Sequence, residues 1–146
     1  MAPLDELAVE LLRRGRSLRI KAHGASMLPF LRDGDIVLIN PARRAAGVGD
    51  IVCYESTGRL FLHRVLGRAG DRVVTKGDAL SFTEAIDPTQ VLGTAVAIER
   101  RGGLKRLDTR AARWRNRRLA SLSHLVPPLL AVAIPLRRTL RTALHG

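Results

Sequence analysis

Between Ser17 and Leu107 every apolar run is cut short by a Gly, Pro or Asp, usually within four to seven residues. That punctuation leaves no room for a long helix and prescribes short strands joined by tight turns. Residues 18–22 alternate apolar and polar side chains, and 36–39 and 51–54 read as buried strands. Further β runs fall at 60–66, 72–75 and 91–98, and Gly102-Gly103 marks a hairpin turn into 104–107. Six or seven short strands at this spacing predict a mostly-β domain over residues 17–108, open or barrel-like. The phrase Gly-Asp-Ile-Val occurs at 34–37 and again at 49–52. Two copies of a turn-then-strand phrase do not make a repeat architecture.

The flanks are different. Residues 3–14, within an N-terminal segment 1–16, place Leu4, Leu7, Leu11 and Leu12 at helical spacing. Acids open this helix (Asp5, Glu6), arginines close it (Arg13, Arg14), and Gly15 is a natural stop. It contains no long apolar run, so it reads as neither a cleaved signal peptide nor a membrane anchor. After Asp108 the β pattern ends. Residues 109–146 read as a basic, apolar, helical tail in which 119–136 lack a formal charge and arginine pairs stand on either side. Pro127, Pro128 and Pro135 break that run, so an interfacial helix or hairpin fits better than a spanning helix, and a packed soluble helical pair fits almost as well.

Charge follows the same division. Residues 1–99 hold 13 Lys+Arg against 12 Asp+Glu, whereas residues 100–146 hold 12 against Asp108 alone, and the total is +12. A nearly neutral body thus carries a strongly basic tail suited to an anionic membrane surface or to nucleic acid. An aromatic content of 3% argues against base-stacking platforms and so against nucleic acid as the partner. Cys53 is the single cysteine, which excludes an internal disulfide and a thiolate zinc cluster. The four histidines lack metal-site spacing, so no metal or cofactor is expected.

The chemistry concentrates in five short phrases: Gly24-Ala25-Ser26-Met27-Leu28-Pro29, Asp33-Gly34-Asp35-Ile36-Val37, Gly49-Asp50-Ile51-Val52, His63-Arg64-Val65 and Thr75-Lys76-Gly77-Asp78-Ala79. A serine just after a strand and before a proline can present its hydroxyl at the surface of a β scaffold. In their order these phrases resemble the boxes of the type I signal peptidase family: S-M-x-P, G-D-x-V, base-Arg-Val and G-D-A/N. The resemblance covers roughly residues 18–98.

It implies a β fold of the signal-peptidase and SOS-repressor-protease type, an acyl-enzyme mechanism and Ser26 as nucleophile. Most bacterial members carry Lys where this chain has His63, so His63 is implied to be the general base, as in the endoplasmic-reticulum and archaeal branch. An imidazole with an ordinary pKa of about 6.5 needs no depression to be neutral at pH 7. Such a base wants an acid to fix its tautomer. Asp78 is the first candidate and Asp87 the second, and Lys76 reads as structural.

The implied substrate is an extended signal or leader peptide laid against a sheet edge, for which 18–22 and 71–76 are candidate edge strands. The tail would hold the enzyme at a membrane in place of the N-terminal anchor of typical members. A soluble leader peptidase with a dedicated precursor uses the same chemistry without the membrane. An SOS-repressor-type autoprotease is disfavoured by the histidine in the base position. A non-catalytic basic protein that binds nucleic acid or membrane is the reading from another class.

Overall fold

The computed structural model describes residues 3–122. A helix α1 (Pro3–Arg13) precedes eight strands: β1 (Leu18–Lys21), β2 (Ile36–Pro41), β3 (Ile51–Ser56), β4 (Arg59–Ala69), β5 (Arg72–Lys76), β6 (Glu84–Ile86), β7 (Val91–Arg100) and β8 (Gly103–Arg106). A single 3-10 turn (Pro88–Gln90) leads into β7, and helix α2 (Arg110–Ser121) follows β8.

All pairings are antiparallel, in the order β1-β2-β7-β3-β4-β5-β6. Strand β7 is the spine. One of its edges pairs with β2 from Gly93 to Glu99, and the other pairs first with β3 and then with β8. Irregular register at Leu38/Ile39, Cys53/Tyr54 and Val65/Gly67 bends the sheet, as an extra residue in one strand does. The fold is therefore the mostly-β one expected, with a short helix at each end.

Strand β3 shows why the sheet holds together. Its first four residues are all buried, so both faces are covered. Ile51 and Cys53 belong to the larger core with Val37, Ile39, Leu92 and Ile98. Val52 and Tyr54 point the other way, into a smaller cluster with Val65, Val73 and Ile86. Burial also pushes the Cys53 thiol up to about 12, helped by the Asp5 charge, which leaves it inert.

Helix α1 ends where Gly15 N–H donates to Leu12 C=O and Arg16 N–H to Leu11 C=O, the paired bonds of a Schellman stop. Leu12 is fully buried in the larger core and Val9 packs against it. Burying one such leucine contributes about 1.5–3 kcal/mol. Leu7, expected on the same face, is 51% exposed, because five residues turn it about 140° around the helix axis from the buried Leu12.

The two Gly-Asp-Ile-Val phrases are one turn used twice. Gly34 and Gly49 adopt φ of +91° and +92°, a region that favours glycine. The following aspartate then accepts the backbone N–H three residues back: Arg32 to Asp35 and Gly47 to Asp50, each at 2.9 Å. Gly49 also packs so closely on α2 that a Cβ there would lie 2.7 Å from Arg117 N.

One sequence expectation needs correction and one strand went unseen. Strand β6 was not foreseen, because Glu84-Ala85-Ile86 is too short to show an alternation. It pairs with β5, so 71–76 is not a sheet edge, whereas β1 is one among the described residues. Helix α2 begins at the Thr109 cap, whose hydroxyl accepts Ala112 N–H, and it buries Ala112, Asn116 and Ala120. Of the apolar run 119–136 only the first residues are described, so the interfacial reading of 123–136 lies outside the described residues. Among the described residues no helix is long and apolar enough to cross a membrane.

Candidate active site

Ser26 lies in the turn that follows β1. Gly24 N–H donates to Asp33 Oδ1 at 2.9 Å on its near side. Met27 is buried beneath it, and its sulfur accepts Asp78 N–H at 3.3 Å. The Thr75–Ala79 phrase then folds over the turn through its backbone, with Ala79 N–H donating to Ser26 C=O at 2.9 Å. Gly77 makes that approach possible, since a Cβ there would lie 2.6 Å from the Ser26 carbonyl oxygen. The last box thus secures the Ser26 turn, a role not legible in the sequence.

His63 arrives from β4, opposite Val52 in the β3 register. Its Nε2 stands 3.3 Å from Ser26 Oγ, so the structure brings together the two residues on which the reading of the sequence centred. The imidazole is buried, and desolvation lowers its pKa from the ordinary 6.5 against the charges of Glu84 and Asp78, which raise it. At neutral pH it is therefore uncharged and able to accept a proton.

Neither Asp78 nor Asp87 orients it. The Asp78 carboxylate accepts two hydrogen bonds from Arg64, Nε to Oδ1 at 2.9 Å and Nη2 to Oδ2 at 2.8 Å. Arg64 also donates to Gly49 C=O at 3.1 Å, and its guanidinium lies over the Phe30 ring. Adjacent residues on a strand face opposite ways, so His63 and Arg64 cannot share one carboxylate at close range. Asp87 is exposed and caps the 3-10 turn, accepting Thr89 N–H while Gln90 Oε1 accepts its own N–H. Lys76 is buried, and its ammonium reaches Asp78 C=O at 3.4 Å, in keeping with a structural part.

The other ring nitrogen of His63 meets a residue the sequence did not single out. Nδ1 lies 2.8 Å from the Tyr54 hydroxyl. Tyr54 donates to Glu84 Oε2 at 3.1 Å, and Ser56 donates to Glu84 Oε1 at 2.9 Å. The Tyr54 ring stacks on Phe61, with centroids 5.5 Å apart. Desolvation foremost raises the Tyr54 pKa far above its ordinary value, so the hydroxyl keeps its proton. Tyr54 stands two residues beyond Val52, the partner of His63, and shares the His63 face only through the pairing of β3 with β4. Glu84 sits on the unforeseen β6 and had no signal in the sequence.

A groove of about 380 Å³ opens beside the pair. Its walls include Ile20, Ala22, Leu62 and Phe61, and Ser26 and His63 lie at its side. Among the described residues no group of three His, Cys, Asp or Glu side chains is placed to hold a metal ion.

A turn serine in contact with a buried imidazole is an arrangement that serine hydrolases use. The family model described as Peptidase S24-like matches residues 5–78, from α1 to Asp78. The chain belongs to this family of serine peptidases. No curated protein matches it.

Proposed function

We propose that this protein is an endopeptidase that cleaves a signal or leader peptide through an acyl-enzyme, with Ser26 as nucleophile and His63 as general base. The observation that carries this reading is the 3.3 Å approach of Ser26 Oγ to His63 Nε2 at the side of the groove. Nε2 takes the hydroxyl proton as Oγ bonds to the scissile carbonyl carbon. The carbonyl oxygen becomes an oxyanion, for which the Ser26 backbone N–H is the nearest donor in sequence. Collapse breaks the C–N bond, and the amine leaves with the proton from Nε2. Water, deprotonated by the same nitrogen, then hydrolyses the ester.

The groove supports an extended substrate. Strand β1 forms part of its wall and, among the described residues, pairs only with β2, so its other edge can accept a peptide as an added strand. The decisive experiment incubates precursor peptides with small residues before the cut, such as Ala-x-Ala, with wild type, Ser26→Ala and His63→Ala. Wild type cleaves and neither variant does. Cleavage by Ser26→Ala at the wild-type rate would overturn the nucleophile assignment.

The substrate is presented at an anionic membrane surface. Supporting this, α2 exposes Arg110, Arg113, Arg117 and Arg118 around Trp114, itself 62% exposed. Basic residues flanking an exposed tryptophan suit the headgroup region. Co-sedimentation with phosphatidylserine vesicles, lost at high salt, is the expected result. Protein left wholly in the supernatant at low salt would favour a leader peptidase acting in solution.

A further inference from the structure

We infer that Tyr54 and Glu84 are the positioning residues for the base: acting through the Tyr54 hydroxyl, the Glu84 carboxylate selects the His63 tautomer that leaves Nε2 without a proton toward Ser26. This rests on the Ser26–His63 reading and supplies the orienting acid that Asp78 and Asp87 do not.

The argument is a count of protons along a chain of contacts. An ionised carboxylate can only accept. Glu84 accepts from Ser56 on Oε1 and from Tyr54 on Oε2. Tyrosine has one hydroxyl proton, and with that proton directed at Glu84 its oxygen can only accept from His63. The 2.8 Å contact therefore places a proton on Nδ1. A neutral imidazole carries one proton, so Nε2 presents its lone pair to the Ser26 hydroxyl 3.3 Å away. The reverse arrangement, with Tyr54 donating to Nδ1, would leave two oxygens 3.1 Å apart with no proton between them. It would also turn an N–H toward the nucleophile.

The fold holds each member in place. Tyr54 and His63 are diagonal neighbours on one face of β3 and β4, because Val52 pairs with His63 and Tyr54 with Phe61. Thr75 pairs with both Val65 and Glu84, which carries the same face across β5 to β6. The Thr75 hydroxyl stands 3.3 Å from the Tyr54 oxygen as a second donor. When Nε2 takes the serine proton no other proton moves. Nδ1–H continues to donate to Tyr54, and the new imidazolium is balanced by the Glu84 charge one hydroxyl away.

The test reads the imidazole directly and needs no substrate. Protein labelled with ¹⁵N-histidine is examined by long-range ¹H–¹⁵N NMR, with His63→Ala identifying the resonances. Wild type shows the Nδ1–H tautomer. Tyr54→Phe, which keeps the ring stacked on Phe61, shifts His63 toward Nε2–H and lowers its pKa further, since the Glu84 charge no longer acts through the hydroxyl. Glu84→Gln, which retains an oxygen acceptor, gives a smaller shift. In cleavage assays Tyr54→Phe lowers kcat about 10- to 100-fold, a share of what a general base supplies, and leaves KM nearly unchanged. Adding Glu84→Gln to Tyr54→Phe costs nothing more, because Glu84 acts through Tyr54. An Nε2–H tautomer in wild type, or a tautomer unmoved by Tyr54→Phe, would overturn the inference. Wild type with the expected tautomer but no cleavage of any peptide would retire the peptidase reading alone.

Discussion

Arg64 grips both carboxylate oxygens of Asp78, at 2.9 and 2.8 Å, where the arginine side chain is wholly buried and the aspartate nearly so. The pair ties β4 to the loop that covers the nucleophile turn, and Arg64 reaches on to the Gly49 carbonyl beside α2. Asp78 is thus a keystone of the scaffold beneath the site and not the partner of its base.

Removing one member of a buried pair strands the other charge. Asp78→Ala should therefore destabilise the fold by about 3–5 kcal/mol, read from urea unfolding. The double replacement Arg64→Met with Asp78→Leu should recover much of that loss. A single Asp78→Ala variant as stable as wild type would show that the charge is not stranded.

Gly77 tests the covering loop. A Cβ at 2.6 Å from the Ser26 carbonyl oxygen and 2.9 Å from a Leu80 methyl forces the turn to move. Misplacing a nucleophile by about 1 Å can cost up to about 100-fold in rate. Gly77→Ala should lower kcat at least tenfold while the His63 base still titrates. Unchanged kcat would mean that the loop, and not the nucleophile, absorbs the shift.

Burial lowers the His63 pKa below 6.5, so the folded protein binds this proton more weakly than the unfolded chain. Cleavage should rise with pH along a single ionisation below 6.5 and be flat by pH 7. The same linkage gives the sign for stability. The His63 contribution is complete above the unfolded value of 6.5 and is lost as pH falls through the lower folded value. A rising limb centred above pH 7 would contradict the burial of the imidazole.

Asp87 caps the 3-10 turn with its carboxylate exposed. Asp87→Ala should lower the melting temperature slightly and leave both kcat and KM as in wild type. A large fall in kcat without loss of stability would return Asp87 to the catalytic machinery.

Much of the fold could be read from local pattern. Strands β1 to β5, β7 and β8 all fall on runs visible in the chain, because period-two patterning and glycine turns are properties of adjacent residues. Strand β6 escaped because three residues carry no period. The face of α1 was read only in part, since Leu7 and Leu12 both fit a helical stripe and only docking on the sheet chose Leu12.

The site divides in the same way. Ser26 and His63 stood out because their short phrases are local, and their neighbours in sequence are also their neighbours in space. Which acid serves the imidazole was not written locally. Asp78 was the nearest aspartate in a suggestive phrase, yet the side-chain alternation of β4 turns Arg64 to Asp78 and His63 to the opposite face. Tyr54 and Glu84 meet there only because β3, β4, β5 and β6 lie in that order, with a register that sums three separate pairings. The chain by itself determined every strand but β6, the turns and the two candidate reacting groups, Ser26 and His63. The tertiary structure alone decided the partner of the base, because strand order and register are set by burying both faces of the sheet at once.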